Sequence, residues 1–322
     1  MMTKDEHSTL RDVLYRYGIP TPISIERVGA REVWEVGDSL VVKRYEDENA
    51  ARKEALLSQA LRPQGIKTAE FLMCADGGYD ACHDGGYYCL MRKLGGTHIA
   101  LESALDGGFE VWSYSIGSEL GKLHLALAHL GERGGVHAGD REPREGVAWR
   151  ECDLMAELRG QIADLEADGI ALSPEIAAEC LSSGEMWCDL PKQLIHRDVW
   201  FGNFLMDGSE VAGFVDFADA ELSAAVYDVV YFAQSVLVAG DYRGADFMSR
   251  WRHMLARFLE GYGSVRELTQ GEIAAMQGLS MIMQVGFVSY CCGIEAKRAM
   301  VSRRLDLLEW IWRERLFEKI FR

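Results

Sequence analysis

Four polar side chains surround a short apolar stretch near the middle of the chain, LIHRDVWFGNFLMDGSEVAGFVDF, residues 194–217. They are His196, Asp198, Asn203 and Asp216. An amide and a carboxylate supply hard oxygen ligands, which Mg²⁺ prefers, and a second carboxylate close by could take a proton from a hydroxyl group. Phosphoryl transfer needs such a set: a metal on the nucleotide phosphates and a carboxylate that aligns the nucleophile.

The stretch reads as two strands joined by a turn at Asp207–Gly208. If Met206 faces Val211, Asn203 lies opposite Asp216 or one of the two residues before it. The amide and the carboxylate would then emerge at the same end of the hairpin. This register predicts a two-ligand magnesium site with room for water and phosphate oxygens.

Asp198 lies five residues before Asn203, on the loop that leads into the first strand. Its carboxylate could therefore face the place where an acceptor hydroxyl would lie. Taken alone, Asp198 could equally be the cap of a helix or turn. Together with the two metal ligands, it is the expected catalytic residue.

Composition limits the choice of partners. The formal net charge of −16 disfavours nucleic acid and anionic lipid, because both require basic surface. The N-terminus MMTKDEHSTL has no apolar signal core, and we expect no run of the roughly 18 apolar residues that a membrane helix needs. The eight cysteines show no C-x-x-C spacing. We therefore expect a cytoplasmic protein with reduced thiols, no membrane partner and an oligomeric state that the sequence leaves open.

The sequence pattern changes from mostly strand-like to mostly helical near residues 92–97. Before that point, residues 24–92 read as three short strands, one amphipathic helix (DENAARKEALLSQAL) and two further strands. After it, nearly everything except the hairpin reads as helix. We expect an α+β fold with a small β-rich lobe, residues 1–92, and a large helical lobe, residues 93–322, that holds the hairpin and the acceptor site.

The motif H-R-D-x-x-x-x-N followed by D-F resembles the catalytic and metal-binding loops of the protein-kinase-like superfamily. No A-P-E follows, and ELSAAVYDVVYF comes directly after the second motif, as in the aminoglycoside phosphotransferase and choline or homoserine kinase branch. GSELGKLHLAL is similar to a helix of that branch, and the N-terminal lobe resembles its spore-coat-kinase-like and homoserine-kinase-like members. The resemblance implies the two-lobe kinase fold.

The resemblance also implies roles for single residues. Asp198 matches the catalytic carboxylate, and Asn203 and Asp216 match the Mg²⁺ ligands. Support of the catalytic loop falls to His196, Arg197 and Asp228.

Nucleotide binding is implied for the N-terminal lobe. Lys43, at the end of SLVVK, would reach the ATP phosphates and pair with a glutamate of the following helix, either Glu54 or Glu48. Gly29 stands where a glycine-rich phosphate loop would lie. The adenine hinge would be formed by Met91, Arg92, Lys93 and Leu94. Asp219 and Glu221 could face the acceptor, or could simply begin a solvated helix.

The resulting interpretation is an ATP- and Mg²⁺-dependent kinase that phosphorylates a hydroxyl group of a small, polar acceptor, which the acid surplus suggests is cationic. GTP could replace ATP. Two alternatives stay open: a non-catalytic nucleotide-binding relative with a structural role, and a protein Ser/Thr kinase. The absence of A-P-E and of room for an activation loop after Asp216 disfavours the second.

Overall fold

The computed structural model describes residues 3–20, 23–28, 32–100, 105–132 and 149–320. The chain forms two compact units that are discontinuous in sequence. The first comprises Met1–His98, Ala126–Trp149 and Gly202–Ala220. The second comprises Ile99–Leu125, Arg150–Phe201 and Glu221–Arg322. As predicted, the architecture is α+β, with a small antiparallel sheet and a mostly helical remainder.

The sheet of the first unit has the strand order β1-β2-β3-β6-β4, and β5 also pairs with β6. All of its pairings are antiparallel. The strands are β1 (Ile25–Arg27), β2 (Val33–Val36), β3 (Leu40–Tyr45), β4 (Glu70–Phe71), β5 (Asp80–His83) and β6 (Gly86–Arg92). After the helix we predicted two strands, whereas the structure has three, because the segment of β5 pairs with β6.

The first helix, α1 (Lys4–Arg16), was not predicted. Thr3 and Glu6 form a capping box at its N-terminus. Its buried side chains pack with Trp34 and Val36 of the sheet. The helix is strongly amphipathic, so its periodicity could have been found in the sequence.

The predicted amphipathic helix is α2 (Glu48–Leu61), and Asp47 caps its N-terminus. Ala51 and Ala55 lie on its buried face and pack against the sheet. Glu54 shares that face and is 3% exposed. A glutamate is rarely this buried unless it is paired, so its position indicates a partner.

The predicted hairpin is present as β8 (Phe204–Asp207) and β9 (Glu210–Phe214). Met206 pairs with Val211, as expected, and Gly208 adopts a positive φ of 61° in the turn. The turn lies one residue later than predicted, because Asp207 still pairs with Glu210.

The KLGG segment holds the hairpin in place. Thr97 and Met206 exchange two backbone hydrogen bonds, each of 2.8 Å. Gly96 has a φ of 104°, and a Cβ atom there would lie 2.7 Å from the Met206 carbonyl oxygen. This close approach requires glycine.

The second unit is built from helices, with part of α3 (Phe109–Glu132) at its start. The others are α4 (Leu154–Ala167), α5 (Pro174–Cys188), α6 (Val226–Ala239), α7 (Ala245–Gly263), α8 (Gln270–Cys292) and α9 (Val301–Glu314). Among the described residues, α8 alone is long and apolar enough to cross a membrane, whereas we expected no such run. About two thirds of its apolar stretch is buried, as is typical of a core helix.

A second strand pair interrupts the helices, which we did not predict. Strand β7 (Gln193–Ile195) pairs with β10 (Glu221–Ser223). The segment ELSAAVYDVVYF, which we read as one helix, therefore begins as a strand, and α6 starts only at Val226. At the C-terminus, Leu307, Leu308 and Ile311 of α9 are buried, so its apolar stripe packs inside this unit.

Candidate active site

Lys43, Glu54 and Asp216 form a compact charged group in the first unit. The Lys43 ammonium lies 2.7 Å from Glu54 Oε2 and 2.7 Å from Asp216 Oδ1. Glu48, the alternative partner, pairs with Arg52 instead. Burial opposes the charge of Lys43, but the two carboxylates outweigh burial and raise the pKa of the ammonium above its usual range.

Both oxygens of Glu54 are in use. Oε2 also accepts a hydrogen bond of 2.8 Å from the Tyr45 hydroxyl, and Oε1 accepts one of 3.0 Å from the Asp216 backbone N–H. Asp216 has a φ of 68°, a left-handed conformation that is uncommon for a non-glycine residue. Glu54 therefore fixes both the lysine and the backbone that carries the second carboxylate.

Asn203 immediately precedes β8 and is 1% exposed. Its carbonyl accepts a hydrogen bond of 3.0 Å from the Val215 N–H, so the hairpin register places Asn203 across from the residue before Asp216. The donor set fits a divalent cation, because the amide and the carboxylate offer the hard oxygen atoms that Mg²⁺ prefers. These are the two positions that the sequence predicted.

Asp198 lies in a loop of the second unit, and Asp228 holds the backbone of that loop. The carboxylate of Asp228 is fully buried and accepts hydrogen bonds from the His196 N–H at 3.0 Å and the Arg197 N–H at 2.8 Å. The Asp198 N–H in turn donates to His196 Nδ1 at 3.4 Å. The backbone N–H groups of three consecutive residues, His196, Arg197 and Asp198, are therefore all held by hydrogen bonds.

Arg197 has a φ of 72°, and its side chain is anchored by two acids. Its guanidinium contacts Glu157 of α4 at 2.6 Å, pairs with Glu221 of β10 and lies over the ring of Tyr227. We expected that Glu221 could face the acceptor. Instead it is 6% exposed and engaged with Arg197, because β10 turns it inward.

Glu157 and Glu221 also lie within metal-binding distance of Cys152. The Arg197 guanidinium already pairs with both carboxylates and neutralises their charge. The two acids therefore hold the Arg197 side chain in place and do not form a metal centre with Cys152.

Sequence reasoning missed a buried chain of hydrogen bonds behind Asp228. His124 of α3 lies 2.9 Å from Asp228 through Nε2 and 2.7 Å from the Tyr262 hydroxyl through Nδ1. Arg266 donates to the same hydroxyl at 2.9 Å and pairs with the buried Glu272 at 2.9 Å. His124 is not among the site residues that we predicted, and its place in the GSELGKLHLAL helix is the one sequence signal that points to it.

The expected adenine hinge lies at the end of β6. Met91 pairs with Val41 and Phe71, and Arg92 with Leu40 and Glu70. The next two positions follow the strand: the Lys93 N–H donates to Ser39 at 2.8 Å, and the Leu94 side chain packs against Gly213.

The remaining candidates are scattered. Asp219 is exposed on the segment after β9, and Gly29 lies outside the described residues.

Residues 25–269 match the family model described as "Phosphotransferase enzyme family". Homoserine kinase of Brucella canis is 30% identical over 242 residues, which are 72% of this chain and 64% of that protein. The chain spans just under two thirds of the length of the curated relatives that it matches.

Two solved structures share the fold. A microcompartment-associated aminopropanol kinase is 16% identical with a TM-score of 0.67, covering 95% of both chains. Amicoumacin kinase hAmiN in complex with AMP-PNP, Ca²⁺ and Ami is 17% identical with a TM-score of 0.66, covering 96% of both chains. These similarities bear out the predicted protein-kinase-like fold.

Proposed function

We propose that this chain, which belongs to the phosphotransferase enzyme family, moves the γ-phosphate of ATP to a hydroxyl group of a small polar acceptor in a Mg²⁺-dependent reaction. The observation that carries the proposal is the Lys43–Glu54–Asp216 group. A buried lysine held between two acids, one of them on the segment that follows the hairpin, suits the binding of a nucleotide polyphosphate and its metal.

Each residue then has a defined task. Lys43 binds the non-transferred phosphates as a point charge, and Glu54 orients it. Asn203 and Asp216 would hold Mg²⁺, which neutralises charge on the phosphates when it is bound. The hinge, Met91 to Leu94, would contact the base, and Gly29 would lie near the phosphates.

The transfer step is assigned to Asp198. Its carboxylate accepts the proton of the acceptor hydroxyl as the hydroxyl oxygen bonds to the γ-phosphorus. The bond between that phosphorus and the β–γ bridging oxygen breaks, and ADP leaves with the electron pair. Asp228, His196 and Arg197 position Asp198, since they fix the backbone on which it lies.

The proposal gives only the chemical class of the acceptor, a small polar molecule with a hydroxyl group. Relatives and structural neighbours are named for homoserine, aminopropanol and amicoumacin, so family membership leaves its identity open. Asp219, exposed beside the hairpin, is the acid that could still contact the acceptor. We further propose a cytoplasmic location, a nucleotide-binding lobe within residues 1–92 and an acceptor lobe within residues 93–322.

A coupled assay of ADP release tests the proposal. The full chain would be incubated with ATP, Mg²⁺ and a panel of amino alcohols, hydroxy amino acids, sugars and aminoglycosides. We expect acceptor-dependent ADP release that Asp198→Asn abolishes and that the exposed control Asp189→Asn preserves. ATP binding without turnover on any acceptor would favour the non-catalytic alternative, and phosphorylation of peptides alone would favour a protein kinase.

A further inference from the structure

Tyr45 ends β3 and lies two residues after Lys43, so the two side chains are on the same face of the sheet. Its ring is 6% exposed and packs with Ala51 and Ala55 of α2. A phenol hydroxyl that is buried in such an apolar cluster needs a hydrogen-bond partner. The partner of Tyr45 is a charged group of the candidate nucleotide site.

The Tyr45 hydroxyl donates to Glu54 Oε2 at 2.8 Å. The Lys43 ammonium lies 2.7 Å from the same oxygen, which therefore accepts from both residues. The ammonium also lies 4.7 Å from the centre of the Tyr45 ring, within the range of a cation–π contact. Tyr45 thus acts on the lysine in two ways, once through Glu54 and once through its own ring.

Glu54, Asp216 and Tyr45 differ in how firmly they can hold the Lys43 ammonium. The Asp216 side chain is 22% exposed and is also a proposed metal ligand, so its contact with the lysine can be given up. The Glu54 side chain is only 4% exposed, and the Tyr45 ring is buried. Glu54 and Tyr45 are therefore the contacts that can keep the lysine in place while it binds phosphate.

The hydroxyl of Tyr45 matters because a glutamate carboxylate rotates readily about its last side-chain bond. Tyr45 and Lys43 hold one oxygen of Glu54, and the Asp216 N–H holds the other at 3.0 Å. Without the phenol, the lysine that has to be positioned would be the one described partner left on Oε2. Burial and the charge of Glu54 raise the pKa of the Tyr45 phenol well above its usual range, so its hydroxyl stays a donor at neutral and mildly alkaline pH.

We propose that Tyr45 is a positioning residue of the nucleotide site: its hydroxyl fixes Glu54, its ring contacts Lys43, and together they hold the ammonium where the nucleotide phosphates bind. The inference rests on the nucleotide site of the proposed kinase function and deepens it. Because Tyr45 acts through Lys43, it should affect the affinity for the phosphates and not the affinity for the nucleoside.

Isothermal titration of the full chain with two ligands tests the inference. ADP with Mg²⁺ carries phosphates that Lys43 would bind, and adenosine, measured by displacement, is the matched ligand without them. Tyr45→Phe removes the hydroxyl and keeps the ring. We expect this variant to bind ADP about tenfold more weakly, since it loses a hydrogen bond to a charged group, and to bind adenosine as the unaltered chain does.

Two further variants separate the contacts. Tyr45→Leu also removes the ring and should weaken ADP binding by a further factor of about two to five. In a Lys43→Met background, Tyr45→Phe should cause no additional loss of ADP affinity, because the residue through which Tyr45 acts is absent.

Tyr17→Phe is the structural control. The Tyr17 hydroxyl donates to the carbonyl groups of Tyr79 at 2.8 Å and Tyr88 at 2.7 Å, in the same unit as Tyr45. Its removal should lower the melting temperature and leave ADP binding unchanged.

Unchanged ADP binding by Tyr45→Phe would overturn the inference, even if its melting temperature fell as expected for Tyr17→Phe. An equal loss of affinity for adenosine, or an equal loss in the Lys43→Met background, would overturn it as well. These results need no turnover and leave the kinase function standing. ADP binding that depends on Tyr45, without phosphate transfer to any acceptor, would refute the kinase function and keep the inference.

Discussion

At the scale of single residues, the candidate site depends on charges that compensate one another. Lys43 is 18% exposed and lies between Glu54 and Asp216, so the energy of each charge depends on the other two. Arg197 and Asp216 both adopt left-handed backbone conformations next to the proposed catalytic and metal-binding groups. Such conformations persist only where the surroundings fix them, and here Asp228 and Glu54 bind the respective backbone N–H groups.

Lys43→Met should therefore destabilise the protein as well as weaken nucleotide binding. The change leaves the Glu54 and Asp216 carboxylates without their shared cation, and we expect the free energy of unfolding to fall by about 2–4 kcal/mol. Urea denaturation measures this loss. Lys122→Met removes an exposed lysine paired with Glu119 and should cost less than about 1 kcal/mol. An equal loss in the free energy of unfolding in the two variants would show that Lys43 does not compensate the charges of Glu54 and Asp216.

At the scale of elements, the hydrogen-bonded chain from Glu272 to His124 links the start of α8 to the proposed catalytic loop. Tyr262→Phe removes the hydroxyl that joins His124 to Arg266 and keeps the ring packing. If His124 positions Asp228, kcat should fall about tenfold with an unchanged KM for ATP, corresponding to roughly 1.4 kcal/mol of transition-state stabilisation. Tyr15→Phe, at a site 82% exposed, should leave both constants unchanged.

A purely structural role of Tyr262 would give another pattern. The melting temperature would then fall while kcat, measured well below it, stayed at the wild-type value.

The link between KLGG and the hairpin is also testable. Gly96→Ala places a Cβ atom 2.7 Å from the Met206 carbonyl, at a φ of 104°. We expect a loss of about 2 kcal/mol or more in the free energy of unfolding. Gly107→Ala is the matched control, since nothing lies within 4 Å of its Cβ position. A melting temperature lowered equally by both changes would argue against the contact.

The hairpin of the candidate site could be predicted from the sequence, and the elements that were not predicted were missed for physical reasons. The hairpin register follows from the turn and the apolar pattern alone, because those interactions are local. Strand β10 could not be foreseen, because it forms only by pairing with β7, which lies well before it in the chain. Strand β5 could have been, because it forms a hairpin with β6 through the Asp84–Gly85 turn. The burial of Glu221 follows from β10, so its misassigned role is a consequence of the missed strand.

The partners of His124 were beyond sequence reasoning for a related reason. Asp228 lies about a hundred residues away along the chain and Tyr262 farther still, and only the packed helices bring them together.

At the scale of the whole molecule, buried tyrosines determine the response to alkali. Burial raises the pKa of Tyr227 to about 12 and raises that of Tyr262 further, so both stay protonated in the folded protein after they would ionise in the unfolded chain. The unfolded state therefore binds fewer protons above pH 10, and stability contributed by these groups is lost as pH rises from about 10 to 12. Stability below pH 10 is unaffected by them.

Denaturation midpoints measured between pH 8 and 12 check this. Tyr227→Phe should flatten the alkaline decline, whereas the exposed Tyr15→Phe should not. An identical decline in all three proteins would show that other groups control it.

The central claim is the transfer of a phosphoryl group to an acceptor hydroxyl with Asp198 as the base. The most direct measurement is a ³¹P NMR time course of the full chain with ATP, Mg²⁺ and an acceptor found with the ADP-release assay. We expect a phosphomonoester resonance that grows in step with ADP and slows about 10²–10⁴-fold in Asp198→Asn. Free phosphate in place of the monoester, or a monoester formed at the wild-type rate by Asp198→Asn, would contradict the account.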